Sequence, residues 1–325
     1  MMSTVAENAS LRRNYLPVPL LTLCLTGTLP VDIYLGQEKN SAPVLFRRKH
    51  IDIAGSELAT LRESGIETVY VSLDQADDYQ QHLQSNVSSI ISNADLPLAY
   101  RLQFLSDTGR SMLRESFRAD QVDGMIQQIG ELSSFISSLM SKNEVVVSEL
   151  FEVLRHDYQT YTHVYNVATY SLLLAKGLGV TDEKELQSIS MGGLLHDLGK
   201  LRIPLHILNK KERLTDIEWS IIQRHPTDGF IELAVREDIS EAQLMMVYQH
   251  HEKLDGSGYP VGIGANEIHF YAKVCAVADV FEALTGNRPY RNPVTKAEAL
   301  ETLEGLAPHK LDQEMVQCWI ALTNR

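Results

Sequence analysis

Acidic and histidine side chains stand inside strongly apolar stretches of this chain, and this feature limits its possible folds more than any other. His196 and Asp197 directly follow two leucines, and Asp279 lies within the apolar run 274–281. A buried carboxylate is costly unless a cation or hydrogen-bond donors compensate its charge. The sequence therefore predicts packed helices that meet at a polar centre, with a metal ion as the simplest compensation.

Histidines are concentrated in the same part of the chain. Eight of the 11 histidines lie between residues 156 and 269. A single histidine on a helix is usually structural or exposed, but several of these stand next to other potential ligands or to glycines. Beyond the residues named above, the candidate ligands are His163, His225, His250 and His251. The other three, His156, His206 and His269, are interpreted as ordinary core or surface residues.

The number of candidates indicates more than one metal ion. Five histidines and two aspartates exceed the four ligands of a tetrahedral zinc site. A mixed imidazole and carboxylate set with one shareable carboxylate fits two ions, and Asp197 is the predicted bridge. Two structural alternatives stay open. The His196-Asp197 pair could form the capped end of a helix, and Asp279 could form a salt bridge with Arg288 or Arg291.

A glycine-rich segment, residues 252–260, follows the paired histidines. Gly256 and Gly258 allow the backbone to approach a ligand closely, and Tyr259 with Pro260 stiffens the far end of the loop. The Gly-x-Gly spacing alone is a weak phosphate-binding signal, because the preceding strand and the following helix start of a nucleotide-binding fingerprint are missing from the pattern.

The segments before residue 98 predict a small α+β module. Residues 29–35, 44–48 and 68–71 have the composition of strands. Residues 56–62 have a helical pattern, with Ser56 as the predicted N-cap. Strands and a helix of this length together make a small domain ahead of the histidine-rich region.

From residue 98 onward the spacing of apolar residues predicts helices. Residues 98–117 and 122–140 carry apolar side chains three and four positions apart, which is typical of long amphipathic helices. These helices could connect two domains, form a dimer interface or pack against the next domain. The predicted fold is mainly α, with a 1–90 α+β regulatory module, a 91–142 helical linker and a 143–325 all-α domain.

Net charge and cysteine content restrict the partners and the compartment. The formal net charge is −13 and the pI is about 5.3, which argues against DNA or RNA as a partner. A small phosphate ligand stays possible, because bound metal ions reverse the local field. Three widely spaced cysteines suit a reducing compartment, and residues 16–29 are too interrupted for a signal peptide or a membrane span. We expect a cytoplasmic protein without a membrane partner.

The motifs together resemble the HD-GYP subgroup of the HD phosphohydrolase superfamily. His196-Asp197 and the complete string HHExxDGxGYP at residues 250–260 carry the resemblance, which covers about residues 143–325. It implies an all-α domain whose two-metal, sometimes three-metal, centre hydrolyses cyclic di-GMP to pGpG or GMP in bacterial signalling. The N-terminal module is similar, less specifically, to a small domain found ahead of some HD-GYP domains.

Position by position, the resemblance implies roles for individual residues. The implied metal ligands are His163, His196, Asp197, His225, His250, His251 and Asp279. The implied catalytic residues are Asp197 and Lys200. Substrate contacts are predicted for Lys200, Gly256, Gly258, Tyr259, Arg288 and Arg291. Because the neutral Gln159 stands where three-metal relatives have a glutamate, we expect two divalent ions, iron or manganese.

Two alternatives to a cyclic di-GMP phosphodiesterase stay open. The domain could hydrolyse another phosphate ester, or it could be a receptor or scaffold that binds cyclic di-GMP without cutting it. Loss of a ligand would favour the receptor, and the sequence retains every predicted ligand. The expected partners are a cyclic dinucleotide and, through the helices of residues 91–142, a second copy of the chain.

Overall fold

The chain divides into two compact units, Met1–Leu96 and Pro97–Arg325. The computed structural model describes residues 14–20, 23, 28–36, 43–117, 122–142, 145, 160–210, 212–286 and 293–324. All strands of the described residues belong to the first unit, and the second unit is helical. This arrangement confirms the predicted fold class, which is mainly α with a small N-terminal α+β module. In the described part of the chain, each helix is too short or too polar to cross a membrane.

The first unit contains a four-stranded antiparallel sheet with the order β1-β4-β2-β3. Its strands are β1 (Tyr15–Pro19), β2 (Ile33–Leu35), β3 (Val44–Arg47) and β4 (Thr68–Ser72). The sequence did not predict β1, because Pro17 and Pro19 interrupt it. As β1 pairs only with β4, it is an edge strand, where a residue without a backbone N–H is tolerated.

The described part of the first unit also contains two α-helices, α1 (Gly55–Glu63) and α2 (Ala76–Ser92), with a 3-10 turn (Leu73–Gln75) before α2. The predicted N-cap at Ser56 is wrong, since the N-cap is Ala54. The Glu57 carboxylate accepts a hydrogen bond from the backbone N–H of Ala54 at 3.0 Å, so an acidic side chain of the first turn replaces the missing cap. Gly65, with a φ of 76°, follows the end of α1.

The described part of the second unit consists of helices and loops, with an isolated β-bridge between Asp255 and Gly264. The longer helices are α3 (Leu98–Ser116), α4 (Val122–Lys142), α5 (Thr160–Gly177), α6 (Glu183–Leu195) and, later in the chain, α11 (Phe270–Thr285), α12 (Lys296–Leu306) and α13 (Gln313–Thr323). Between α6 and α11 lie a 3-10 turn (Leu198–Arg202) and the short helices α7 (Leu205–Leu208), α8 (Asp216–Ile222), α9 (His225–Leu233) and α10 (Glu241–Gln249).

The two long helices predicted before the histidine-rich region pack inside the second unit. Helix α4 contacts α6, and α3 contacts both α4 and α5. The apolar stripe of α4 is buried, including Ile129, Leu132 and Ile136. In the structure, these two helices pack against the C-terminal helices, which is one of the three predicted alternatives. The domain boundaries at residues 90 and 142 and the homodimer stay predictions.

The core of the second unit is the packing of α5 against α6 and α11. A Cβ on Gly193 would lie 2.6 Å from the Cα of Ala168, so α6 and α5 touch backbone to backbone at this crossing. On the other side of α5, the rings of Tyr170, Phe281 and Trp319 pack with centroids 5.2–5.7 Å apart. These contacts fix the positions of the helix ends that carry the predicted ligands.

Candidate metal centre

The ends of several helices bring the seven predicted ligands to one place. His196 follows the last residue of α6, and Asp197 precedes the 3-10 turn. His250 and His251 directly follow α10, and His225 is the first residue of α9. The two remaining ligands lie within helices, His163 near the start of α5 and Asp279 in α11. Backbone that turns at a helix end can direct two consecutive side chains at one centre, as the sequence predicted.

The ligands form two groups. In each group the donor atoms lie within 4.8 Å of one another. One group consists of His163, His196 and Asp279, and the other consists of Asp197, His225, His250 and His251. Five of the seven side chains are buried. Imidazole nitrogens and carboxylate oxygens this close together are typical of a site for divalent ions.

Asp197 faces both groups. Its Oδ2 lies 3.3 Å from Nε2 of His163 and 3.4 Å from Nε2 of His196. Its Oδ1 lies 3.3 Å from Nε2 of His225 and 3.9 Å from Nε2 of His250. A carboxylate with one oxygen directed at each group has the geometry predicted for a bridging ligand.

Asp279 also reaches both groups, although only Asp197 was predicted to do so. Its Oδ1 is 3.3 Å from Nε2 of His163, and its Oδ2 is 3.9 Å from Nδ1 of His251. The alternative partners of Asp279, Arg288 and Arg291, lie outside the described residues. Gln159 and His156 also lie outside them.

Backbone carbonyl groups fix the orientation of three histidine rings. Nδ1 of His196, His225 and His250 lies 2.7, 2.8 and 2.8 Å from the carbonyl oxygens of Gly193, Ile222 and Val247. Because a carbonyl oxygen only accepts, each Nδ1 must carry the proton and donate it. Each Nε2 therefore directs its lone pair at the centre, which is the tautomer that binds a metal ion.

The electrostatics of the pocket fit bound cations. His196 Nε2 and Asp197 Oδ1 are buried and make no hydrogen bond to the described residues. Burial lowers the pKa of His225 to about 4, so this ring is neutral at pH 7. Burial alone would raise the pKa of the Asp197 carboxyl, but Lys200 and His196 outweigh it and hold that pKa well below its usual range. The pKa values of His250 and His251 are lowered as well, mainly by burial, so three neutral imidazoles stand ready to bind metal ions beside an ionised carboxylate.

Sequence reasoning missed Glu282. This buried carboxylate lies against Nδ1 of His163, and its other oxygen accepts a hydrogen bond from Nδ2 of Asn166 at 3.4 Å. A carboxylate behind a histidine ligand fixes the ring and raises its basicity. The available signal was the spacing, because Glu282 lies one helical turn after Asp279 on the same face of an apolar helix.

We expect Glu282→Gln to weaken the binding of one metal ion by about 10- to 100-fold, because the amide cannot hold the His163 ring as a carboxylate does. Metal titration followed by calorimetry measures this change. The control is Glu301→Gln, which removes an exposed carboxylate from α12. Unchanged affinity for both ions in the Glu282 variant would show that the carboxylate does not support His163.

The glycine-rich loop is held by Glu252, whose buried carboxylate accepts from the backbone N–H groups of Val261 at 2.8 Å and Gly262 at 3.0 Å. A Cβ on Gly258 would lie 2.4 Å from the backbone nitrogen of Lys253. The glycine is therefore required by the close packing of the loop on itself. The folded loop lays the ring of Tyr259 against the centre. Direct contacts of Gly256 and Gly258 with a substrate stay predictions.

Lys200 reaches the rim of the centre. Its Nζ lies 2.5 Å from Oδ2 of Asp197, and 22% of its side chain is exposed. The structure therefore brings the predicted lysine to the site and not to a remote surface. Two of the three histidines interpreted as ordinary residues have other roles: His206 is exposed, and His269 accepts from the backbone N–H of Tyr271 as the cap of α11.

The helical part of the chain matches a known family. The family model described as HD domain matches residues 139–315, more than half of the chain. The chain belongs to the HD domain family. This match confirms the resemblance predicted from His196-Asp197 and from the string at residues 250–260.

Curated relatives of this HD domain protein include several phosphodiesterases. A cyclic di-GMP phosphodiesterase of Pseudomonas aeruginosa is 28% identical over 261 residues, which cover 76% of this chain and 63% of the relative. A cyclic di-GMP phosphodiesterase of Thermotoga maritima is 30% identical over 219 residues, which cover 66% and 59%. A 3′3′-cGAMP-specific phosphodiesterase of Vibrio cholerae is 38% identical over 154 residues, which cover 44% and 33%. The chain thus spans about three fifths of the length of the first two relatives.

A solved structure has the same fold. An HDGYP protein from Bdellovibrio bacteriovorus aligns with 96% of this chain and 100% of its own, with a TM-score of 0.67 and 20% sequence identity. At this level of sequence identity, the similarity shows a shared fold and not a shared chemistry.

Proposed function

We propose that this protein is a metal-dependent phosphodiesterase that hydrolyses the 3′–5′ phosphodiester of cyclic di-GMP. The observation that carries the proposal is the arrangement of seven ligands in two groups, with one oxygen of Asp197 directed at each. Such an arrangement suits two cations placed on either side of a shared carboxylate. The relatives named as phosphodiesterases of cyclic dinucleotides support the substrate class.

The ligand set favours two divalent ions, iron or manganese. Imidazole and carboxylate donors suit these metals, and the set lacks the thiolates that favour zinc. Bound there, the ions would polarise a phosphodiester and lower the pKa of a water molecule. Gln159, a neutral side chain, is a poor ligand for a third ion.

The residues around the ligands would bind and orient the substrate. Lys200 carries a positive charge at the rim, where it would attract the non-bridging oxygens of the phosphodiester. Tyr259 lies with its ring centroid 4.7 Å from that of His251 and would border the bound nucleotide. Arg288 and Arg291 have planar guanidinium groups that suit phosphates or the edges of guanine. Asp197 would hold both ions, because one of its oxygens is directed at each ligand group.

A cytoplasmic location is part of the proposal. Cys275 and Cys318 are free thiols, which suits a reducing compartment. The likeness to bacterial phosphodiesterases of cyclic di-GMP supports the same compartment.

The decisive experiment measures turnover of cyclic di-GMP by the full chain, purified without oxygen and loaded with Mn²⁺ or Fe²⁺, with a chelated sample as control. We expect pGpG or GMP to appear only with metal. Tight binding without turnover would instead make the protein a receptor. Hydrolysis of a different phosphate ester, with cyclic di-GMP left intact, would be consistent with the proposed metal centre but would show that cyclic di-GMP is not the substrate. Parallel assays with 3′3′-cGAMP measure the preference between the two cyclic dinucleotides.

A further inference from the structure

We infer that Trp219 forms a stacking subsite for one purine base of the bound nucleotide. The inference rests on the proposed function, because it assumes that a nucleotide phosphate binds at the metal centre. It names a residue outside the HHExxDGxGYP string and outside the ligand set. The predicted ligand class is a purine nucleotide whose phosphate lies at the histidine cluster and whose base lies against the indole.

A row of aromatic rings connects the metal centre with Trp219. The ring centroid of Tyr259 lies 4.7 Å from that of His251 and 6.4 Å from that of His225. Tyr259 also meets the indole of Trp219 edge to face, with the ring centroids 6.2 Å apart. Trp219 is thus one ring beyond the ligands, and a base is separated from its phosphate by one ribose.

The indole surface is available to a ligand. Trp219 is 45% exposed, whereas the other tryptophan, Trp319, is fully buried. Exposure of one apolar residue is common and indicates nothing alone. Here the exposed ring borders a polar centre, and every nucleobase has a flat face that stacks on an aromatic ring.

The backbone that carries Trp219 is fixed at its start. Thr215 and Glu218 form a capping box at the beginning of α8, and Nζ of Lys210 lies 2.7 Å from both oxygens of the Glu218 carboxylate. Because the backbone at Trp219 is already ordered, little conformational entropy is lost when a base binds, which favours affinity. Ile217, on the same helix, is 75% exposed and points about 200° away from Trp219 around the helix axis.

The experiment compares two probes that differ by the base. The full chain loaded with Mn²⁺ is titrated by calorimetry with GMP and with ribose 5-phosphate. We expect Trp219→Ala to weaken GMP binding by about 5- to 150-fold, the range for loss of one stacked base, and to leave ribose 5-phosphate unchanged. Trp219→Phe should retain most of the affinity. Ile217→Ala is the matched control and should bind both probes as the parent does.

Fluorescence and kinetics give independent readouts. GMP, but not ribose 5-phosphate, should change the tryptophan emission of the parent protein, because only Trp219 among the two tryptophans is exposed. In turnover of cyclic di-GMP, Trp219→Ala should raise KM with a much smaller change in kcat. The inference would be overturned if Trp219→Ala bound GMP as tightly as the parent does, or if its affinities for GMP and ribose 5-phosphate fell by the same factor. Absence of turnover in the parent would reject the proposed function alone, since the comparison of GMP with ribose 5-phosphate does not need catalysis.

Discussion

Replacing Asp197 with asparagine is expected to remove the metal ions and to lower the turnover of cyclic di-GMP by roughly 10³-fold or more, at least about 4 kcal/mol of transition-state stabilisation. Each oxygen of the carboxylate faces one ligand group, and an amide supplies neither the charge nor a second acceptor. Metal content is measured by elemental analysis of the dialysed protein, and turnover by separation of the products.

The same variant separates loss of chemistry from loss of fold. Asparagine has almost the shape of aspartate, so the helical circular dichroism signal should persist. Asp123→Asn is the control, because Asp123 is an exposed carboxylate of α4 whose ion pair with Arg236 contributes little. If Asp197→Asn retains two ions and parental turnover, the assignment of Asp197 as the bridging ligand is wrong.

Replacing Gly199 with alanine is expected to destabilise the second unit by about 3 kcal/mol. A Cβ at this position would lie 2.0 Å from the carbonyl oxygen of His225 and 2.7 Å from the backbone nitrogen of Gly229. Both are backbone atoms of α9, so the 3-10 turn must move away from that helix. The turn begins next to Asp197, and the movement would separate this ligand from His225. The melting temperature should fall by roughly 6–12 °C, and metal content should fall with it.

The matched control for this substitution is Gly130→Ala. A Cβ on Gly130 meets nothing within 4 Å, and the residue lies inside α4. Alanine is the better helix former, so this variant should gain up to about 1 kcal/mol. The same chemical change therefore has opposite signs at the two positions. Equal melting temperatures for the two variants would contradict the close contact between the 3-10 turn and α9.

The long helices and the identity of the ligands could be predicted because their signals are local. The stripe of apolar residues predicted helices at 98–117 and 122–140, and the structure has Leu98–Ser116 and Val122–Lys142. Helical periodicity is a property of neighbouring residues, so it can be recognised in the sequence without knowledge of the tertiary structure. Likewise, an ionisable residue in an apolar stretch reveals that it needs a partner, as at Asp279. It does not reveal which partner.

Local signals failed where a distant contact decided the outcome. Strand β1 contains two prolines and looked like an interrupted segment, yet pairing with β4 at the sheet edge accommodates them. The need for glycine at position 258 likewise comes from the folded loop, which leaves no room for a Cβ beside Lys253, and the predicted contact of Gly258 with a substrate stays a prediction. Each of these outcomes depends on atoms brought together by folding, so neighbouring residues in the sequence could not predict them.

The sequence by itself determined the chemistry of the centre: five histidines and two aspartates, too many for one ion, on helices that must be buried. Only the tertiary structure decided how these ligands are shared. It directed the two oxygens of Asp197 at different groups and brought Glu282 to His163 across 119 residues of chain. The physical reason is that spacing along a chain fixes which residues share a helix face, whereas the packing of helices fixes which faces meet.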